Sequence, residues 1–341
     1  MNATTRKTEI LNAMNSFSQE RYSKSDMLSE AFNLQTEMVN LTFNDGHAEN
    51  AKLRIWDVYS HFSKLNESCE HVADEPLKRF SDSCREINNY ISGECSGNKG
   101  ENQAAWSLRA VSVYRKMLRN VEFSADGHRT ELDIIVLTKK AIFVVEVKNT
   151  KQNILIDEKG NYFCLKNGEP ISDKNIGEKM NDKVILLRNV LENAGVKNLN
   201  IVTLLVFTEN HINVTNNYPY IRCCFKSDLP HIINQYTGGD IYTTANIWKM
   251  AEIIDAARDS GLHKPSFDVE RIKQSYADVI VALESYRESN QNISPEVEKA
   301  TEKSLAVAKL RKAYAAAALA AIPFGGAVAI AAIGIRNALR R

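Results

Sequence analysis

The chain has 341 residues, 44% apolar and 25% charged, which excludes a mostly disordered chain and allows one to three domains with a sizeable core. Its 43 basic and 42 acidic side chains leave a net charge of +1, so it is no polycation, and any nucleic-acid contact must come from a local patch. Six cysteines without a CxxC spacing exclude a disulfide scaffold and argue against a zinc ribbon, and the N-terminal residues lack a signal-peptide apolar run, so the expected compartment is cytoplasmic.

Charge divides the chain unevenly. Residues 1–98 carry 10 basic and 15 acidic side chains, residues 99–150 carry 9 and 6, and residues 303–341 carry seven basic side chains and no acid. Three regions follow: a helical region at 1–97, an α/β domain at 98–262 and a helical region at 263–341.

In the first region, apolar residues step by three and four through Ile10, Met14, Phe17 and again through Met27, Ala31, Leu34, Met38, which predicts helices. Two more helical patterns run through Leu53 to Leu65 and, after Pro76, through Leu77 to Ile91. The Cys95-Ser-Gly-Asn-Lys-Gly100 stretch reads as a linker. His61 and His71 have no ligand-spaced partner and read as surface or core residues. A helical packing or partner-binding role, including a homo-oligomer contact, is the expectation for this region.

The middle region changes period. Asp133–Thr138 and Ala141–Val147 are β-branched apolar runs of strand length, and a turn at Glu158-Lys-Gly-Asn161 joins two shorter strands. A helix is expected at 177–193, with Met180, Val184, Leu187 and Leu191 on one face. The run Ile201–Phe207 reads as a strand covered on both faces, and Tyr220–Phe225 as another strand. The fold class is α/β, a mixed sheet flanked by helices. Basic residues that could touch a phosphate backbone are Arg109, Arg115, Lys116 and Arg119 on an expected opening helix, with Arg129, Lys139 and Lys140 around the first hairpin.

A two-residue turn at Lys139-Lys140 makes paired residues sum to 279, which sets Asp133 opposite Glu146 and Glu131 opposite Lys148. Period two then gathers Glu131, Asp133, Glu146 and Lys148 on one face of an otherwise apolar strand pair, while Ile134, Val136, Val145 and Val147 point the other way. Buried carboxylates need a compensating cation, and oxygen ligands suit Mg²⁺ or Mn²⁺. The acid-x-Lys triplet alone is weak, since Asp157-Glu-Lys159 has the same form. On this reading, removing one acid from the cluster relieves repulsion and leaves the fold intact.

Asp133 with Glu146-Val147-Lys148 resembles the PD-(D/E)xK nuclease superfamily. Gly100-Glu101, Glu131-Leu-Asp133-Ile and Ile142-Phe-Val-Val-Glu-Val-Lys-Asn149 resemble, more closely, the nuclease-related domain, over about residues 98–240. The resemblance implies a metal-dependent nuclease. Asp133, Glu146, Glu101 and the Val147 carbonyl would hold Mg²⁺ or Mn²⁺, and Lys148 would assist the attacking water. DNA is the expected substrate, ahead of RNA, in a setting of bacterial or phage conflict. Two positions depart from the family pattern: Ala141 stands where Gly is usual, and Met180-Asn181-Asp182-Lys183 lacks the Pro and Gln of an Asn-Pro-x-x-Gln motif. The alternative is a catalytically inactive scaffold that binds a membrane or a protein partner.

Asp268–Ser289 reads as an amphipathic helix. Beyond it, residues 313–335 are 23 uncharged residues, 11 of them Ala, interrupted by Pro323 and Gly325-Gly326 and flanked by basic residues. A membrane span, an interfacial hairpin and a packed helix pair remain open, and the basic tail 303–341 makes an anionic membrane an expected partner.

Overall fold

A computed structural model describes residues 3–14, 17, 21–43, 53–125, 128–166, 169–259 and 262–290. Helices α1 (Ala3–Ala13), α2 (Lys24–Phe43), α3 (Ile55–Ser68) and α4 (Asp74–Ser107) come first, and α4 is followed by a short 3₁₀ turn at Leu108–Ala110. Six strands follow: β1 (Arg115–Ala125), β2 (His128–Thr138), β3 (Ile142–Lys148), β4 (Asn153–Ile156), β5 (Asn161–Lys166) and β6 (Glu169–Asn175). Next come α5 (Ile176–Asn193), β7 (Ile201–Phe207), β8 (Val214–Asn216), β9 (Arg222–Phe225), α6 (Leu229–Asn234), α7 (Thr244–Ala256) and α8 (Val269–Ser289). The uncharged segment 313–335 lies outside the described residues. Among the described residues no helix is long and apolar enough to cross a membrane.

The described residues divide into two compact units, one holding those up to Ile91 and from Lys264 to Asn290, the other those within Ser92–His263. Helices α1 and α8 pack together in the first of these units. Their shared core includes Leu34, Met38, Ile55, Phe80, Ile87 and Tyr276. The Tyr276 hydroxyl donates to the Met38 carbonyl at 3.1 Å and bonds with Thr42 Oγ1 at 2.9 Å, so the one polar group on this large core ring is satisfied. His61, beside Phe43 and Phe62, has its imidazole pushed down to about 4 by burial, with Arg287 and Lys64 adding repulsion. It is half-buried at the edge of the aromatic core.

The expected linker at Cys95–Gly100 is helical, within α4. Each glycine in a helix costs about 1 kcal/mol relative to alanine, and packing overrides that cost here. A Cβ on Gly100 would stand 2.8 Å from Asn149 Cβ, so glycine is needed for the close approach of α4 to the end of β3. Asn149 Nδ2 then donates to the Ser96 carbonyl at 2.9 Å and fixes that approach.

The α/β unit holds two sheets, one of order β1-β2-β3-β7-β9 and one of order β6-β5-β4-β8. In the larger sheet β1, β2 and β3 are antiparallel, while β3, β7 and β9 run parallel. The β2–β3 register, Ile134↔Val145 to Leu137↔Ile142, is the one set by a two-residue turn. Alternation gives the sheet two apolar faces. Ile142, Val144 and Leu205 join Met180, Leu187 and Leu191 of α5, while Phe143, Val145 and Val206 join Ala104, Ala105 and Leu108. The second half of β7, Leu204–Phe207, is buried on both faces because helices cover both, while Ile201–Thr203 are half-buried.

One correction moves four arginine and lysine candidates. Arg115, Lys116 and Arg119 lie on β1, and Arg109 lies in the 3₁₀ turn, so none is on an opening helix. Arg115 donates to the carbonyls of Val111 and Arg109, and Arg119 donates to Asn102 Oδ1 at 2.7 Å. These guanidiniums tie β1 to the segment before it.

Candidate active site

β2 and β3 deliver Asp133 and Glu146, and α5 delivers two lysines that cover them. The β1–β2 ladder steps from Arg119↔Ile134 to Val121↔Leu132, and Asn120, between them, has φ 49°. Asn tolerates this left-handed conformation better than most residues, so the sheet can distort opposite Asp133. Asp133 Oδ2 accepts the Val147 N–H at 2.8 Å. That bond ties the acid to the strand that carries Glu146 and Lys148.

Glu146 is 2% exposed and Lys183 is 1% exposed. Lys183 Nζ lies 3.4 Å from Asp133 Oδ1 and contacts Glu146 Oε2. Glu146 Oε1 accepts from Lys179 at 2.7 Å and from Lys148 at 3.1 Å. Burial alone would raise Glu146, but Lys183, Lys148 and Lys179 together hold its carboxyl well below the usual range. Asp133 goes the other way, raised first by burial and then by Glu146, against weaker help from Lys183. Lys183 is raised because two carboxylates outweigh its burial, whereas burial and repulsion from Lys148 and Lys183 lower Lys179. The two lysines differ because Lys183 faces both acids and Lys179 only one.

The structure brings Asp133, Glu146 and Lys148 together. It does not form the expected three-acid patch. Glu131 is paired across the ladder with Glu122 on β1, and Lys148 pairs with Glu146. Glu101 sits half-buried on α4. Among the described residues no three His, Cys, Asp or Glu side chains are grouped to hold a metal ion, so Glu101 does not complete a triad with the two acids. Val147, a candidate through its carbonyl, is seen to engage through its N–H. Lys139 and Lys140 sit at the hairpin turn, at the opposite end of β3, and a seven-residue strand spans about 20 Å. Arg129 pairs with Glu122 at 2.6 Å.

Sequence reasoning does not place Lys179 and Lys183 at the site. Their signal was present: the buried stripe of α5 is Ile176, Met180, Lys183, Leu187 and Leu191, so a lysine occupies an apolar position where Val184 was expected. The structure also re-registers the helix motif. Asn175 caps α5 by accepting the Glu178 N–H at 2.8 Å, Ile176 holds the first helical position that favours proline, and Lys179 stands four residues after Asn175. The Asn-Pro-x-x-Gln spacing therefore fits Asn175–Lys179 better than a start at Asn181. An open cleft of about 770 Å³, lined by Arg129, Lys174, Asn175 and Lys179 among others, adjoins the cluster through Lys179.

No curated protein and no solved structure matches the chain significantly. Residues 96–208 match the family model of NERD, the nuclease-related domain, and this segment, from within α4 to the end of β7, holds Asp133, Glu146, Lys148 and both α5 lysines. The chain thus carries a nuclease-related domain.

Proposed function

We propose that the α/β unit hydrolyses phosphodiester bonds of nucleic acid, with DNA preferred to RNA, and that Mg²⁺ or Mn²⁺ is its cofactor. The observation that carries this reading is the pair Asp133 and Glu146, held side by side on adjacent strands, with Lys148 one strand step beyond Glu146. The donor set suits a hard divalent ion in kind, because both acids offer carboxylate oxygens. Lys183 Nζ is a positive stand-in lodged between them. Three ammonium groups against two carboxylates leave one surplus positive charge, so ion binding requires Lys179 and Lys183 to release oxygens.

Asp133 and Glu146 would hold the ion, which when bound supplies a Lewis acid for the phosphate and a more acidic water. Lys148 is the most solvent-accessible cation in this group after Lys179, and its side chain can meet the scissile phosphate. There it balances charge as the leaving oxygen departs. Val147 N–H keeps Asp133 aimed at Glu146. A setting in defence against foreign nucleic acid follows from the family resemblance and suits a nuclease joined to a helical unit. The test is cleavage of linear, circular and single-stranded substrates with and without Mg²⁺, for the wild type and Lys148→Met.

The ammonium-filled cluster favours a second reading, in which the nuclease fold is a scaffold and Lys183 is a permanent counter-ion. Calorimetric titration with Mn²⁺ separates the two: heat of binding that vanishes in Asp133→Asn supports the ion site, and no heat with wild type supports the scaffold.

A further inference from the structure

A second cleft lies on the other side of the sheet edge. It has a volume of about 790 Å³ and is lined by residues of α4, including Cys95, Asn98, Lys99, Asn102, Gln103 and Trp106, together with Lys226 and Ser227 after β9. Its place in the fold follows from the sheet. Lys148, Phe207 and Phe225 are aligned at the C-terminal ends of the parallel strands β3, β7 and β9, and Lys226 is the next residue. Asn149, which follows Lys148, bonds to Ser96 beside the cleft and accepts from Thr208 Oγ1 at 2.7 Å. Lys226 thus marks one end of the cleft, one residue past the strand ends and two strands, about 10 Å, across the sheet from Lys148.

Its chemistry is specific. Trp106 is 67% exposed, an unusual position for the largest aromatic side chain. The Arg109 guanidinium lies 4.1 Å from the indole centroid and steadies the ring from one side. Lys226 is held by Gln103 Oε1 at 2.6 Å, and Asn102 is held by Arg119. Among the described residues no acidic side chain lines the cleft. A fixed aromatic face amid cations and amides suits stacked bases on an anionic backbone. A duplex hides its base faces within the stack, so the ring can reach only unpaired bases.

We propose that this cleft binds a single nucleic-acid strand, with Trp106 as the stacking platform and Lys99 and Lys226 along the backbone, leading to or from Lys148. The proposal rests on the nuclease reading only for its direction, since strand binding itself needs no catalysis.

The experiment is fluorescence anisotropy in chelator with a labelled 20-mer of deoxythymidine, the same length of oligouridine, and a blunt duplex. Full-length wild type, Trp106→Ala and Trp106→Phe are compared. Because Trp106 is so exposed, both variants should fold, which circular dichroism checks. Trp106→Ala should weaken single-strand binding about tenfold, Trp106→Phe should stay within about threefold of wild type, and duplex binding should not change. Tighter binding of oligouridine supports the cleft and assigns it to RNA. Equal affinity of Trp106→Ala and wild type for single strands overturns the proposal, as does an equal loss on duplex or a wild type that binds no strand. Cleavage assays on the same proteins keep the two readings apart. A Trp106-dependent strand site in a protein that cuts nothing removes hydrolysis alone, and a cutting enzyme indifferent to Trp106 removes the cleft alone.

Discussion

The helical unit and the α/β unit use charge in opposite ways. In the helical unit ion pairs sit at the surface: Arg6 with Glu284 at 2.9 Å, Lys7 with Asp278 at 2.5 Å, and Arg271 with Glu86. Its core cluster is made of apolar and aromatic side chains, and its largely buried Lys273 has a solvent-exposed partner, Glu270. In the α/β unit Glu146 and Lys183 are sealed beneath α5, with Asp133 alongside. Desolvating two charges costs several kcal/mol each, and their attraction returns that cost only with good geometry. An apolar pair would close the same gap more cheaply. The difference teaches that the helical unit keeps charge at the surface, for solubility and modest fastening, whereas the α/β unit buries a charge cluster at a cost that the proposed ion site would account for.

The comparison breaks most readily at Glu146. Glu146→Ala leaves three ammonium groups facing a cavity, and the cost should be about 3–5 kcal/mol, with cleavage falling to background. Denaturant unfolding of wild type and variant measures it. This reverses the expectation from sequence that removing an acid would be harmless, because the structure surrounds this acid with cations rather than with other acids.

Lys183→Met should have the next largest effect, about 2–3 kcal/mol in the absence of metal, since it leaves two adjacent carboxylates with less compensation. The same variant should bind Mn²⁺ about tenfold more tightly by calorimetry, as the competing ammonium is gone. Unchanged affinity would make Lys183 irrelevant to the ion site.

Acid pH sharpens the contrast between the two carboxylates. Glu146 is depressed, so its contribution to stability is present above the ordinary carboxylate pKa and is lost as pH falls below about 4.3. Asp133 is raised, so it has the opposite sign: its contribution is present at low pH and is lost as pH rises through its elevated value. Glu146→Gln should therefore flatten the acid limb of melting temperature against pH. Asp133→Asn should raise the melting temperature near neutral pH by a small amount while abolishing cleavage. At the weak end, Arg6→Ala should cost at most about 1 kcal/mol, as expected of a surface pair.

Much of the site was legible because strand alternation is strict. A two-residue turn at Lys139-Lys140 was enough to place Asp133 across from Glu146, and the register of β2 and β3 obeys it. Glu131 does not join the lysine because the β2–β3 pairing ends at Ile134↔Val145, three residues short of it, and its ladder partner is Glu122 on β1. Lys183 escaped because the helix stripe was read for apolar residues, and a buried lysine looks like the edge of such a stripe. The glycine-rich start of the domain reads by composition as a linker. The structure packs it as helix against the end of β3, where Gly100 meets Asn149, 49 positions away, a contact that no local signal encodes. Arg115–Arg119 keep the same face at a spacing of four on a helix or a strand, so their period could not separate the two.

The most direct test is cleavage by purified, folded full-length protein on linear, circular and single-stranded DNA, with Mg²⁺ or with excess chelator, beside Lys148→Met. The account predicts cleavage that requires the ion and falls about 10²–10⁴-fold in Lys148→Met, with the variant's melting temperature near that of wild type. Cleavage that persists in chelator, equal activity of Lys148→Met, or no cleavage of any substrate by the folded wild type with Mg²⁺ or Mn²⁺ would contradict it.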